Sequence, residues 1–381
     1  MKKVLMVTSV ASMIRQFNLP NIKILRDLNY QVTVATNFVS PGTMPIEESN
    51  KLMERLSDLG VIIENISFNR SPVHGDNFKA YKQLEKLIID NEYDLIHCQS
   101  PIGGVITRLA VNRKKSKSKI IYTAHGFHFF NGGPKRNWVV YPIEKLSSIK
   151  TDIIITINKE DYNRAKNFNT CDVEYVPGVG VDTYKISETL IDRSRKRETL
   201  GISPDSFLIL SVGEVNDRKN HSVIVKAISE IKNRDIQYVI CGLGEKTNEI
   251  KVLAEELGIS SQVHFLGYRN DLNEIYHIAD LFAFPSKREG LGLAGIEAMA
   301  AGLPIVTSNI NGINDYSENG ITGYKYDYDD YKGFSVGIKK IINMEDKKRK
   351  TMGQNNIKKS RRFDQINVNK KMREIYSKIG E

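Results

Sequence analysis

Short apolar runs alternating with amphipathic helical stretches constrain this chain more than any other feature. Six such runs fall in the first half, at 4–7, 32–35, 61–66, 95–97, 120–124 and 153–157. The series restarts at 207–212 and continues through 238–241, 263–266, 281–284 and 305–307. Strands this apolar must be covered on both faces, and strands separated by helices pair in parallel, so each series predicts a doubly wound α/β sheet. At 381 residues the chain is long for one domain and has apolar content for two cores. The glycine-rich passage Val176-Pro-Gly-Val-Gly-Val-Asp182 between the series reads as a hinge. Two Rossmann-like domains are therefore expected, at 1–183 and 184–360, with a polar, basic helix over 361–381.

The formal charge of +10 favours anionic partners, whether nucleic acid, phosphorylated lipid or a membrane surface, and leaves their class open. No helix-turn-helix, zinc or ribonucleoprotein motif supports nucleic acid. Cys98, Cys171 and Cys241 are scattered without Cys-x-x-Cys spacing, which predicts neither a disulfide framework nor a thiolate zinc site and fits a reducing cytosol. The N-terminus passes from Met1-Lys-Lys straight into a strand, unlike a secretory signal, and no apolar run could span a bilayer. The expected location is cytoplasmic, with any membrane association peripheral.

The segment Lys287-Arg-Glu-Gly-Leu-Gly-Leu-Ala-Gly-Ile-Glu297 joins the run at 281–284 to an alanine-rich helix that Gly302 and Pro304 stop. Gly290 and Gly292 let backbone approach a ligand, and the backbone amides from Gly290 through Leu291 and Gly292 to Leu293, at a helix start, favour a phosphate or diphosphate. Glu289 precedes the helix and Glu297 lies two turns into it, so both carboxylates can border one pocket and accept hydrogen bonds from hydroxyl groups. Taken singly, each also reads as an ion-paired charge, Glu289 with Lys287 or Arg288. Lys219, and Arg218 beside it, sit in the loop Gly213-Glu-Val-Asn-Asp-Arg-Lys-Asn220 after a strand, where a cation could neutralise diphosphate; a solvated loop charge is the alternative for both. Gly242 ends another strand and either admits a nucleotide or makes an ordinary turn.

The 287–304 segment resembles the donor-binding motif of retaining glycosyltransferase family 4, whose enzymes have the GT-B fold of two Rossmann-like domains facing a central cleft. Leu95-Ile-His-Cys-Gln-Ser-Pro-Ile-Gly-Gly104, Tyr122-Thr-Ala-His-Gly-Phe-His128 and Ile157-Asn-Lys-Glu-Asp-Tyr162 extend the resemblance over nearly the whole chain, toward the branch that builds bacterial capsular and exopolysaccharide units. The resemblance implies transfer of a hexose, N-acetylhexosamine or uronic acid from a UDP-sugar to a polyprenyl-diphosphate-linked saccharide. It implies that Glu289 binds donor-sugar hydroxyls, Glu297 the ribose, and backbone around Tyr268 and Arg269 the base. It also implies that His125 faces the transferred sugar, and that the final helix crosses back onto the first domain. By itself a histidine at a strand end is usually structural, and His97 and His128 read that way. Two departures stand out. Many relatives carry an arginine directly after the strand glycine where this chain has Glu214, and the paired glycines of the first loop are replaced by Ser9-Val-Ala-Ser-Met-Ile-Arg-Gln-Phe-Asn18, where Arg15 could substitute.

The acidic run Asp327-Tyr-Asp-Asp330 reads as a surface turn rather than a metal clamp, so neither metal nor cofactor is expected. Segments 112–119 and 134–141 combine cations with aromatic residues and read equally as solvated helix ends or as a site docking an anionic membrane surface. Two other classes stay open: a nucleotide-sugar 2-epimerase of similar fold, and a non-enzymatic binder of nucleic acid suggested by charge alone.

Overall fold

The computed structural model describes residues 1–380. The chain forms two compact units, one of Met1–Val179 with the residues from Ile366 onward, the other of Gly180–Gln365. The first passage between them thus falls four residues ahead of the expected domain end at Thr183.

The first unit holds seven parallel strands: β1 (Lys2–Val7), β2 (Tyr30–Thr36), β3 (Ile62–Asn65), β4 (Leu95–Gln99), β5 (Lys119–Ala124), β6 (Ile153–Thr156) and β7 (Asp172–Tyr175). Their order is β3-β2-β1-β4-β5-β6-β7. Side chains alternate across the sheet, so Val4 and Met6 join the core on one face while Leu5 and Val7 join the core on the other. The helix Gln365–Gly380 closes the first face, burying Val368, Met372, Ile375 and Tyr376 at helical spacing. Salt bridges from Arg373 to Asp27 (2.8 Å) and from Lys371 to Glu174 (3.0 Å) line its edges.

The second unit repeats the plan with β8 (Phe207–Val212), β9 (Ile236–Cys241), β10 (Val263–Gly267), β11 (Leu281–Phe284), β12 (Ile305–Ser308) and β13 (Gly323–Tyr326), ordered β10-β9-β8-β11-β12-β13. Both units thus reverse strand order beside their first strand, the doubly wound topology of nucleotide-binding sheets. β7 and β13 have no counterpart among the eleven apolar runs. Both are edge strands, and Asp-Val-Glu-Tyr and Gly-Tyr-Lys-Tyr are only partly covered, so neither carries a continuous apolar signature. The Asp327–Asp330 run does form a turn, and the Asp330 carboxylate accepts from the Gly333 amide (2.8 Å) to cap the helix Tyr331–Ile342.

Candidate functional site

In an open parallel sheet, the loops leaving adjacent strands diverge at the reversal of strand order and leave a crevice at the carboxyl ends. In the second unit this point lies between β8 and β11. The loop after β8 carries Arg218 and Lys219, and the loop after β11 carries Glu289. One backbone and one side-chain bond hold the two loops together: the Lys287 amide donates to the Arg218 carbonyl (2.8 Å), and Asn220, in the left-handed region at φ 59°, donates from its side-chain Nδ2 to the Pro285 carbonyl (3.0 Å).

That stitching sets both cations on one carboxylate oxygen. Lys219 Nζ lies 2.7 Å and Arg218 Nη1 2.8 Å from Glu289 Oε1, and the ammonium also sits 4.7 Å above the Phe284 ring. Burial alone would raise the Glu289 pKa, but Lys219 and Arg218 outweigh it and hold the carboxyl below its ordinary value. Glu297, in helix Leu293–Ala300, moves the other way. Burial raises its pKa against the opposing pull of Lys219 and of the Tyr276 hydroxyl, which donates to Oε2 at 2.7 Å. Two carboxylates eight positions apart therefore occupy opposite electrostatic environments.

The helix start between them carries no side-chain cap. Gly292 is its N-cap at φ 85°, a conformation and a space no other residue suits, because a Cβ would stand 2.5 Å from Phe284. Packing holds the turn from behind: a Cβ on Gly312 would meet the Gly290 carbonyl oxygen at 2.1 Å. Gly242 is equally tight, since a Cβ there would lie 1.9 Å from the Gly213 carbonyl oxygen, so its glycine serves the approach of neighbouring loops.

The structure thus gathers Arg218, Lys219, Glu289, Gly290, Leu291, Gly292, Leu293 and Glu297 at one end of one sheet. Leu291 contributes backbone only, its side chain being core. Arg269 follows β10 at the turn expected to offer backbone to the base. Its guanidinium forks onto Asp271 at 2.8 and 2.6 Å, and Lys196 holds the same carboxylate, so only the backbone at this turn is left for a ligand. Tyr268 is 73% exposed rather than packed on the sheet. The ion pairs expected with Lys287 or Arg288 are replaced by Arg218 and Lys219, some seventy residues away in sequence. Glu214 is exposed, and Arg15 pairs with Glu48 at 3.1 Å.

His125 follows β5 in the first unit and stacks on Phe17, with centroids 5.0 Å apart. Donor and acceptor supply fixes its tautomer. Asn18 must present Nδ2 to the Met13 carbonyl (3.1 Å) and therefore Oδ1 to Gln99 Nε2, which leaves Gln99 Oε1 facing His125 Nε2 at 2.7 Å. Nε2 must then carry the proton, and Nδ1 keeps its lone pair. Burial lowers the His125 pKa to about 4, so the ring is neutral at physiological pH. His97 is a satisfied core residue, bonded to the Tyr376 hydroxyl and to Thr123 Oγ1 at 2.8 Å each, with burial first and His125 second taking its pKa to about 3. His125, Gln99, Asn21 and Phe17 line a pocket of about 20 Å³, room for one water molecule.

Sequence alone singles out neither Gln99 nor Asn18, although Gln99 lies within the 95–104 segment. Gln99 could be found as the polar last residue of an apolar strand; Asn18 is buried by a single π turn, Ile14–Asn18, that no periodicity announces.

Two family descriptions match the chain: "Glycosyl transferase 4-like" over residues 3–158 and "Glycosyl transferases group 1" over residues 192–359. The "Putative glycosyltransferase EpsD" of Bacillus subtilis (strain 168) is 33% identical, covering 99% of this chain and 96% of its own. An Escherichia coli enzyme named "UDP-Gal:alpha-D-GlcNAc-diphosphoundecaprenol alpha-1,3-galactosyltransferase" is 28% identical over 77% of this chain and 78% of its own. Among solved structures, Anabaena Alr3699/HepE in complex with UDP and glucose superposes with a TM-score of 0.79 at 19% identity, covering 99% and 100% of the two chains, and shares the fold.

Proposed function

This chain belongs to the glycosyltransferase family and has the GT-B fold, and from that premise we propose that it is a retaining enzyme acting on a UDP-sugar. The acceptor would be a polyprenyl-diphosphate-linked saccharide and the sugar a hexose, N-acetylhexosamine or uronic acid, in assembly of a capsular or exopolysaccharide unit. The cluster of Lys219, Arg218 and Glu289 beside the uncapped helix start carries this reading. A diphosphate needs cations and free amides, which stand together here, and sugar or ribose hydroxyls need acceptors, which Glu289 and Glu297 supply on either side. The donor and acceptor named for the E. coli relative support the same substrate classes.

In the proposed reaction the bond from the sugar's C1 to the diphosphate oxygen breaks, its electron pair leaving with the diphosphate. The new bond from C1 to the acceptor oxygen forms on the same face, and the acceptor's proton passes to the departing phosphate. Lys219, Arg218 and the amides at Gly292 and Leu293 stabilise the charge that develops on the leaving group, a preorganised electrostatic role that requires no metal. Glu289 is paired and ionised, which suits holding hydroxyl groups rather than carrying protons. His125 is assigned a polar contact to the transferred sugar, accepting through Nδ1.

A thermal-shift panel of UDP-, GDP- and ADP-sugars tests the donor class, because a ligand that binds only the folded state raises its apparent stability. UDP-sugars should raise the midpoint and the others should not. No shift with any nucleotide-sugar, together with salt-dependent binding of nucleic acid, would overturn the reading.

A further inference from the structure

Arg108 and Glu144 form a fully buried ion pair at 2.7 Å that fastens the helix Pro101–Ala110 to the helix Val140–Ser147. The fastening fixes which faces of this helix pair meet water, and those faces are apolar. Val139 is 70% exposed, Leu146 66%, Ile149 62% and Leu109 54%, with Ile143 also exposed. Positions 139, 143 and 146 are one helical stripe, and Ile149 continues it. Lys150 bonds the carbonyls of Leu109 (3.3 Å) and Val111 (3.2 Å), so Leu109 and the loop after it adjoin the end of the stripe. Single exposed apolar residues are ordinary, but a continuous row on two rigidly braced helices marks a surface made for contact.

Charge identifies the contact. Residues 135–150 hold four cations and one acid, and that acid is Glu144, turned inward onto Arg108. The adjoining loop 112–119 holds five cations and no acid. Arg113 and Lys119 reach Asp152, whereas no ion pair among the described residues takes up Lys114, Lys115, Lys117, Lys135, Arg136 or Lys145. An apolar row rimmed by unneutralised cations complements a negatively charged, apolar-cored surface, which is the interface of a bilayer containing anionic lipid. No helix among the described residues is long and apolar enough to cross a membrane, so this face would lie on the bilayer.

We infer that the stripe from Val139 to Ile149, with Leu109 and the cations of 112–119, is the surface by which this protein docks on an anionic bilayer, its apolar residues entering the headgroup boundary. The same segment braces the loop that carries His125. Asn137 donates to the His128 carbonyl (2.9 Å), and Trp138 and Tyr141 pack on Phe129 with centroids 5.9 and 5.3 Å away. A docked face therefore steadies the loop leaving β5. The surface itself requires no particular reaction, so docking and transfer can fail separately.

Trp138 is the chain's single tryptophan and 39% exposed, so tryptophan emission, excited selectively over the 17 tyrosines, reports on this segment alone. The full chain is titrated with phosphatidylcholine vesicles with or without an equal part of phosphatidylglycerol, at low and high salt. The inference predicts a blue shift and quenching by brominated acyl chains on the anionic vesicles, with a fraction of binding that survives high salt. Leu146→Glu with Ile149→Glu should lower vesicle partitioning about tenfold or more. Lys114→Glu with Lys115→Glu should remove only the salt-sensitive part. All four positions are exposed, and an unchanged thermal shift with UDP confirms folding and keeps the donor question separate. Unchanged partitioning in the Leu146/Ile149 variant overturns the inference. So does a wild-type dimer that this variant converts to monomer while vesicles leave the Trp138 emission untouched.

Discussion

Replacing Glu289 by glutamine separates the proposed roles in the donor site. In the free protein the carboxylate is the counter-charge for Lys219 at 2.7 Å and Arg218 at 2.8 Å. At an effective dielectric of about 20, each contact contributes roughly 6 kcal/mol of attraction before desolvation is subtracted. Desolvation offsets most of that, but deleting one partner leaves the other charge buried, at about 3–5 kcal/mol for a wholly buried pair. Arg218 is more than a third exposed, and glutamine keeps an acceptor in place, so about 2–3 kcal/mol is expected here. For a unit of this size that lowers the melting midpoint by about 5–10 °C. UDP brings replacement negative charge to the same two cations, so it should raise the midpoint of Glu289→Gln at least as much as that of wild type. Transfer should fall about tenfold or more, because a neutral amide oxygen accepts the sugar hydroxyl more weakly than a carboxylate. Scanning calorimetry with and without UDP, beside a transfer assay on the same preparations, reads all three quantities. Loss of UDP binding in step with transfer, with no change in the nucleotide-free midpoint, would refute the reasoning.

Gly292→Ala forces a Cβ to within 2.5 Å of Phe284 at φ 85°, so it should cost about 2 kcal/mol or more and abolish the UDP thermal shift; a normal shift would contradict the tight-turn account. Acid should destabilise the protein as pH falls below 6.5. His97, His125 and His221 are depressed to about 3, 4 and 3, so the stability tied to their neutral forms is complete above the unfolded value and drains away as pH drops toward the folded ones. Asp161, raised to about 6 chiefly by burial, opposes them with one proton, so these four groups together take up about two protons on unfolding near pH 5, on the order of 3 kcal/mol per pH unit. Denaturant titrations at pH 5 and 7 giving equal stability would contradict this. Nitrogen-15 spectra should show His125 protonated at Nε2 at neutral pH, and Gln99→Leu should release that preference; a proton found on Nδ1 in the wild type would break the chain from Asn18 through Gln99.

The sheets were legible because parallel strands covered on both faces must be apolar throughout, as Leu281–Phe284 and Phe207–Val212 are. The edge strands β7 and β13 escaped because at the sheet edges they are only partly covered and carry polar residues among the apolar ones. The donor cradle was legible in its local parts, since turn glycines and a helix start lie close together in sequence. Its electrostatics were not. Which cation meets Glu289 depends on two loops being brought together by strand order, and nothing near residue 289 points to Lys219. Tyr276, whose hydroxyl tunes Glu297 from another helix, and Asn18, buried by one π turn, were hidden for the same reason: each acts only through the fold.

The most direct test of retaining, acceptor-dependent transfer is to incubate the protein with a UDP-sugar selected by thermal shift and a polyprenyl-diphosphate-linked saccharide, then determine the product linkage by NMR. The account predicts UDP release only when the acceptor is present, and a new linkage with the donor's own anomeric configuration. Interconversion of the free UDP-sugar without acceptor, or an inverted linkage, would contradict it.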